Sequence, residues 1–145
     1  MKTYKGIFKP KNPLKYKGDV KNIVYRSSWE LRLMRYFDEH KEVTQWASEE
    51  VAIPYISPLD GRIHRYFPDF IIVKINNNRK HVIMIEVKPA TQTTEPKKQK
   101  KITKAYINEV RTWGINRAKW DAAERYCKER GWVFQIMTEK HIFGK

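Results

Sequence analysis

Two strongly apolar runs, residues 70–73 and 82–87, restrict the fold of this chain more than any other feature. Residues 70–73 and 82–85 are apolar at consecutive positions, which is typical of central strands in a sheet covered on both faces. Asp69 directly precedes the first run, and Glu86 and Lys88 stand at the end of the second. Because side chains alternate along a strand, Glu86 and Lys88 point to the same side. The pattern predicts two carboxylates and an ammonium group at one edge of a buried sheet.

Upstream of these runs, Ser27 and Glu30 have the spacing of a helix capping box, which predicts a helix reaching about His40. On a helical wheel one arc is apolar and another is polar. The apolar arc holds Trp29, Leu33, Met34 and Phe37, and the face predicted to point away holds Arg32, Arg35 and Asp38. Glu30 falls within the apolar arc. A carboxylate aimed at a sheet is costly unless it is paired or metal-bound, so Glu30 is either a cap alone or a site residue.

Strand signals continue on both sides of a turn. Residues 43–57 predict a single edge strand, since Pro54 has no backbone N–H to donate. Asp60 and Gly61 predict a hairpin turn into a second strand over residues 63–75. The asparagine-rich segment before the second apolar run predicts another turn, so three strands form a meander.

Two helices and one more strand are predicted after the meander. One helical stretch is predicted to reach Gly114, and Asn116 is predicted to cap a second helix over residues 117–130 that Gly131 closes. Residues 132–138 predict a final strand, parallel to its neighbour because a helix connects them. The order is αβββαβ, an α/β fold with a mixed central sheet flanked by helices.

Charge indicates the class of partner. Lys and Arg number 30 against 16 Asp and Glu, so the formal net charge is +14 across 145 residues. Such an excess predicts a polyanionic partner, nucleic acid first. No apolar run approaches the roughly 20 residues that cross a bilayer, so we expect no membrane partner and a cytosolic location. The single cysteine, Cys127, excludes an intrachain disulfide and predicts a buried packing residue.

The first 24 residues predict a basic N-terminal arm, followed by one domain over residues 25–145. The arm is either a solvated tail or a phosphate-tracking segment. Its aromatic residues Tyr4, Phe8 and Tyr16 favour ordered packing.

The predicted sheet edge suits a hard divalent cation. Asp69 and Glu86 would supply oxygen ligands to Mg²⁺, Lys88 would stand beside a phosphate, and Glu30 would bind the metal directly or through water. The alternative is that each acid makes a structural ion pair. The four histidines show no metal-ligand spacing, which argues against a zinc site.

Pro68-Asp69 and Glu86-Val87-Lys88 on consecutive strands, after a helix bearing Glu30, resemble the PD-(D/E)XK nuclease superfamily, whose core has the αβββαβ order. The wider sequence around residues 25–30, 48–55 and 64–70 resembles the TnsA-type transposase endonucleases and, more closely, the small head-completion nucleases of tailed phages.

This resemblance implies a metal-dependent DNA endonuclease that hydrolyses phosphodiester bonds at the ends of packaged phage DNA. It implies a restriction-endonuclease-like core, Mg²⁺ with Mn²⁺ as a substitute, and the Val87 carbonyl as a further metal ligand. Double-stranded DNA is the implied partner, with phage head or portal proteins as further candidates. The location implied is the host cytoplasm or the virion. Cutting both strands requires two active sites, so a homodimer is a candidate assembly.

Basic residues outside the sheet edge are candidates for phosphate contact, against the alternative of ordinary solvated faces. They are His64 and Arg65 on a strand, Lys97, Lys98, Lys100 and Lys101 in a loop, and Arg117 and Lys119 on a helix. Two other functions remain open at this point: a non-catalytic DNA-binding head-assembly protein, and a nuclease selective for junctions or flaps.

Overall fold

The computed structural model describes residues 3–144. Residues 1, 2 and 145, at the outer ends of the predicted arm and domain, lie outside the described residues, as does the side chain of Tyr4. In chain order the elements are β1 (Thr3–Ile7), β2 (Val24–Ser27), α1 (Ser28–Glu39), β3 (Val43–Ser48), β4 (Ile53–Ile56), β5 (Ile63–Tyr66), β6 (Phe70–Asn76), β7 (Arg79–Val87), α2 (Lys104–Arg130), β8 (Val133–Met137) and α3 (Glu139–Phe143).

Four strands form the central sheet in the order β3-β6-β7-β8. β6 is antiparallel to both β3 and β7, whereas β8 is parallel to β7 and connected to it through α2. Asn77 and Asn78 have φ values of 51° and 61°, as a tight turn between twisted antiparallel strands requires. The predicted α/β fold is confirmed: a mixed sheet flanked by helices, consistent with a restriction-endonuclease-like core.

The two faces of the sheet carry separate cores. Ile85 belongs to the cluster that contains Phe37 of α1, while its neighbour Met84 packs with Trp120 of α2. Adjacent strand residues point to opposite faces, so α1 and α2 cover opposite sides of the sheet. Cys127 lies in the α2 cluster with 1% of its surface exposed, which confirms its predicted packing role.

Both long strands predicted in the first half of the meander are broken. The run over residues 43–57 is divided into β3 and β4, and Glu49, directly after β3, has a φ of 53° that turns the chain out of the sheet. The run over residues 63–75 is divided at 67–69. Pro68 has no N–H for a strand ladder, so pairing stops there and resumes at β6.

β4 and β5 form a separate antiparallel hairpin beside the central sheet. The turn between them contains the predicted Asp60-Gly61 pair, with Gly61 at a φ of 67°. Ile53, Tyr55 and Tyr66 of this hairpin are buried in the same cluster as Trp120. The hairpin therefore extends the α2 face of the core.

The prediction of two helices after residue 101 is wrong, because α2 is one continuous helix capped by Thr103. Asn116 is a buried residue in its interior rather than a cap. A glycine inside a helix costs about 1 kcal/mol relative to alanine, and the packing of Trp113 against Trp120 on either side of Gly114 offsets that cost. Gly131 closes α2 in the left-handed conformation, as predicted. No helix in residues 3–144 is long and apolar enough to cross a membrane.

The N-terminal segment packs on the α1 side of the fold. β1 pairs with β2, and Phe8 and Tyr16 are buried against Trp46, which confirms the expected packing of these two aromatic residues. Asp38 was predicted to face away from the core, but it is buried, with only 2% of its surface exposed. Its carboxylate accepts hydrogen bonds from the backbone N–H groups of Lys11 and Asn12 at 2.8 and 3.0 Å. These bonds compensate the burial of its charge and fasten the segment to α1.

Candidate active site

The ends of three strands of the central sheet meet beside the first turn of α1. Ser48 at the end of β3 pairs with Phe70 at the start of β6, and Phe70 pairs with Ile85 near the end of β7. The residues just beyond these pairs, Glu49 and Asp69, are therefore neighbours, and the N–H of Glu49 donates to the carbonyl of Asp69 at 3.2 Å. The sheet thus gathers acidic side chains at one edge.

Glu30 reaches this edge from α1. The predicted cap is confirmed: the Ser27 hydroxyl accepts a hydrogen bond from the Glu30 N–H at 3.2 Å. The same hydroxyl donates to the Glu30 carboxylate at 3.2 Å. The carboxylate is half-buried and lies beside Asp69 rather than in open solvent.

Glu30, Glu49 and Asp69 form a three-acid cluster. One carboxylate oxygen from each lies within 4.8 Å of the other two. Arg26 of β2 holds Glu49 from outside with two hydrogen bonds of 3.1 Å each. A bidentate guanidinium contact fixes the orientation of a carboxylate, so Glu49 is positioned by two features, its left-handed backbone and Arg26.

Asp69 is anchored by the neighbouring strand. Its Oδ2 accepts a hydrogen bond from the backbone N–H of Val87 at 2.7 Å. This bond spans β6 and β7 just beyond their paired residues, so the carboxylate is held by the sheet itself. The predicted metal-binding role of the Val87 carbonyl stays a prediction.

Glu86 lies behind Asp69 and is 6% exposed. Its Oε1 accepts a hydrogen bond from the Tyr66 hydroxyl at 2.8 Å, and its Oε2 lies 3.7 Å from Nζ of Lys88. Burial and the charge of Glu86 raise the pKa of Tyr66, so the phenol remains a donor. Lys88 keeps 28% of its side chain exposed, which leaves its ammonium group open to a ligand.

The acids of this edge ionise with difficulty. Burial raises the pKa of Asp69 well above its usual range, and the charge of Glu86 raises it further. Burial also raises the pKa of Glu86, against the opposing effects of Tyr66 and Lys88, and that of Glu30. A metal ligand must be deprotonated, so a cation bound at this edge would compete with protons for these carboxylates, and its affinity would rise with pH.

The donor set fits a hard divalent cation. Mg²⁺ takes oxygen ligands, usually one or two carboxylates, and keeps several waters. The three-acid cluster offers carboxylate oxygens from α1, from the residue after β3 and from the residue before β6, partly open to solvent. It contains no histidine or cysteine, the ligands that zinc prefers.

Two comparisons with known proteins agree with this geometry. A sequence profile of the TnsA-like endonuclease N-terminal domain matches residues 40–139. The chain belongs to the TnsA-like endonuclease N-terminal family. It is also 38% identical over 141 residues to the head completion nuclease of Enterobacteria phage T4, covering 94% of this chain and 92% of that protein.

Within this TnsA-like domain, the profile match includes Glu49, Asp69, Glu86 and Lys88 but begins after Glu30. Sequence reasoning selected four of the residues that meet at the edge and missed Glu49. Glu49 follows Ser48, and the sequence predicted a strand running on to residue 57, so nothing marked Glu49 as a strand end. Arg26 and Tyr66 were missed because both act through contacts between distant elements.

The predicted phosphate contacts of the TnsA-like domain divide into two groups. His64 and Arg65 lie on β5: Nε2 of His64 is 2.8 Å from Asp60, and the Arg65 guanidinium lies 5.1 Å from the centre of the Phe67 ring. Arg117 lies 3.7 Å from Asp121. The four loop lysines are exposed, with no acid at ion-pair distance in the described part of the chain; they are Lys97, Lys98, Lys100 and Lys101.

Lys119 differs from the other basic residues. Its Nζ lies 5.9 Å from the ring centre of Tyr55 and 5.7 Å from that of Tyr66, whose hydroxyl bonds Glu86. The charge of Lys119 also lowers the pKa of Glu86. α2 therefore brings a further cation close to Tyr66, the residue that hydrogen-bonds Glu86.

Proposed function

We propose that this TnsA-like protein is a divalent-metal-dependent DNA endonuclease that hydrolyses phosphodiester bonds. The observation that carries the proposal is the three-acid cluster with Lys88 nearby, in a chain of net charge +14. In a structural ion-pair network each acid would lie at ion-pair distance from a cation. Within residues 3–144, Arg26 forms an ion pair with Glu49 and Lys88 with Glu86, whereas no cation lies at that distance from Glu30 or Asp69.

Glu30, Glu49 and Asp69 are the residues that would hold the metal. Glu86 and the Val87 carbonyl remain candidate ligands, since Glu86 lies next to Asp69. A bound Mg²⁺ or Mn²⁺ would supply an activated water and neutralise charge on the phosphate.

The residues of the chain complete the site. The Val87 N–H and Arg26 fix the carboxylates of Asp69 and Glu49, which limits their reorientation. Glu86, held by Tyr66, keeps the Lys88 ammonium group at the edge. Lys88 can then donate to the phosphate oxygen where charge develops, an arrangement that stabilises the transition state more than the ground state. Lys119 offers a second positive charge to the same phosphate or its neighbour.

The substrate proposed is double-stranded phage DNA during head completion, by analogy with the relative named a head completion nuclease. Head or portal proteins and a homodimer are the proposed partners. The proposed place of action is the cytoplasm of the infected host, with retention in the virion as an alternative. His64, Arg65, Arg117, Lys119 and the four loop lysines are proposed phosphate contacts.

The direct test is incubation with supercoiled plasmid and Mg²⁺, with and without EDTA. We expect nicked or linear product with Mg²⁺ and none with EDTA. An intact plasmid bound by the protein in both conditions would instead support a non-catalytic head-assembly role. Products confined to branched substrates would support a junction or flap nuclease.

Binding should depend steeply on salt. Neutralised phosphates release counterions, so a log-log plot of affinity against salt has a slope of about −0.9 per phosphate contacted. Duplexes of unrelated sequence, measured with Ca²⁺ in place of Mg²⁺, are expected to give the same steep slope. A flat plot would exclude the basic surface as the main source of affinity.

Glu30→Gln tests whether this residue serves the metal or only the helix. Glutamine fits the same capping position but lacks the charge that a metal site needs. We expect cleavage to fall by at least about tenfold, and Mg²⁺ to raise the Tm less than it does in the parent. Glu49→Gln should behave in the same way.

Glu39→Gln is the control for both changes. It lies on the last turn of α1, is exposed, and contacts Lys11 rather than the cluster. If Glu30→Gln keeps the parental activity and the parental Mg²⁺-induced Tm shift, Glu30 serves only to cap the helix.

A further inference from the structure

A cavity of about 320 Å³ lies between α2 and the segment that follows Lys88. Its volume is at the lower end of the roughly 300–1,000 Å³ typical of small-ligand pockets. Its lining includes Gln92, Asn108, Glu109, Thr112, Trp113 and Asn116. None of these residues belongs to the acidic edge, so the proposed hydrolysis does not account for the cavity.

Asn116 points to a ligand. It is 7% exposed, it lies in the interior of α2, and no residue among 3–144 hydrogen-bonds its side chain. Its amide atoms are not enclosed within the fold, so they are open to the cavity that Asn116 lines. Because Asn116 lines the cavity, a bound molecule can supply the missing donor and acceptor.

The other lining residues define the chemistry of that molecule. Trp113 supplies a half-buried aromatic ring, and Asn108 and Gln92 supply further amides. Glu109 supplies an acceptor, and no lysine or arginine is among the described lining residues. This is an unsuitable lining for a phosphate, but it suits a flat heterocycle with both donors and acceptors on its edge. Nucleobases outside a duplex are recognised by such stacking and edge hydrogen bonds.

The position of the cavity connects it to the candidate active site. Gln92 follows Lys88 by four residues, a span of at most about 14 Å. On the other wall, Asn116 precedes Lys119 by one turn of α2. At the rim, the Arg117 guanidinium lies 5.8 Å from the centre of the Trp113 ring, where it can meet a backbone phosphate.

We propose that this cavity binds one unpaired nucleobase of the DNA, next to the phosphate to be cut. The inference rests on the proposed nuclease function and narrows its substrate class: DNA with a single-stranded end or flap at the cleavage position. Asn116 hydrogen-bonds the base edge, Trp113 stacks on the base, and Arg117 contacts its phosphate.

The test compares affinities for four DNAs, with Ca²⁺ in place of Mg²⁺ and fluorescence anisotropy as the readout. They are a blunt duplex, the same duplex with a short unpaired 3′ end, the same duplex with an unpaired 5′ end, and an unpaired end made of abasic nucleotides. The abasic end keeps the phosphates and removes only the bases. We expect one unpaired end to bind about tenfold more tightly than the blunt duplex, and the abasic end to lose that preference.

Asn116→Leu and Trp113→Leu should each reduce the ratio of unpaired-end to blunt-end affinity to about one. Leucine fills a space similar to that of asparagine but makes no hydrogen bonds, and it cannot stack on a base as tryptophan does. Trp132→Leu is the matched control, since Trp132 is also half-buried but lies beyond the far end of α2. The abasic comparison needs no variant, so it stands even if a variant folds poorly.

The outcomes separate the two proposals. Equal affinity for blunt, unpaired and abasic ends would overturn the base-binding inference and leave the nuclease proposal intact. A preference that survives both Asn116→Leu and Trp113→Leu would place base recognition elsewhere and also overturn the inference. No binding to any DNA would reject the proposed function itself, and the inference with it.

Discussion

Replacing Lys88 with alanine is expected to lower DNA cleavage by about a hundredfold to a thousandfold, the loss typical when one charge-stabilising donor is removed from an active site. Nζ of Lys88 lies 3.7 Å from Glu86, at the acidic edge. The three-acid cluster does not include Lys88, so metal binding should persist. The loss should appear in kcat, with DNA affinity in Ca²⁺ changed by no more than about twofold.

Lys80→Ala is the control for this change. Lys80 lies on the same strand, near its other end, and is exposed. The Lys80→Ala variant should cleave DNA at the parental rate. Loss of DNA binding in Lys88→Ala, in proportion to its loss of cleavage, would show that Lys88 contributes affinity rather than catalysis.

Asp69→Asn is expected to abolish metal-dependent cleavage and, without metal, to stabilise the fold at neutral pH. The amide oxygen of asparagine can still accept the hydrogen bond from the Val87 N–H. Burial and the charge of Glu86 raise the pKa of Asp69 in the folded state above the value near 3.9 of an unfolded chain. When an acid has a higher pKa in the folded state than in the unfolded state, the fold loses stability as the pH rises from the unfolded-state value to the folded-state value. The loss is complete above the folded-state value.

The Tm of Asp69→Asn in EDTA should therefore match that of the parent near pH 4 and exceed it increasingly as the pH rises. The expected gain is roughly 4 °C for each unit by which the pKa is raised. Adding Mg²⁺ should reverse the order, because metal binding stabilises the parent more. A variant less stable than the parent in EDTA at pH 7 would contradict the crowded-acid description of this edge.

The sequence predicted the central strands, and it also predicted that Glu30 lies on the face of α1 that points to the sheet. Both predictions depend only on local periodicity. Residues 70–73 and 82–85 are apolar at consecutive positions, and the asparagines between them suit a tight turn. Glu30 sits three residues from its cap, within an apolar arc, and the structure places it beside Asp69. These features do not require knowledge of distant contacts.

What the sequence did not reveal depends on long-range contacts. Glu49 joins the cluster only because its backbone turns at the end of β3 and Arg26 holds it there. Asp38 is buried because backbone groups near residue 11 reach it across the fold. Gly114 and Asn116 carry local signals for a helix break, and tertiary packing overrides them.

The continuity of α2 fixes the spacing between the cavity proposed to bind a base and the acidic edge. The helix rises about 1.5 Å per residue, so Asn116 and Lys119 are separated along its axis by roughly 4.5 Å, little more than the step between neighbouring base pairs of about 3.4 Å. A hinge at Gly114 would have let the cavity and the acidic edge move relative to each other. A continuous helix holds the cavity and the acidic edge at one spacing. A base bound in the cavity would therefore fix the cleavage position at a single nucleotide rather than over a range.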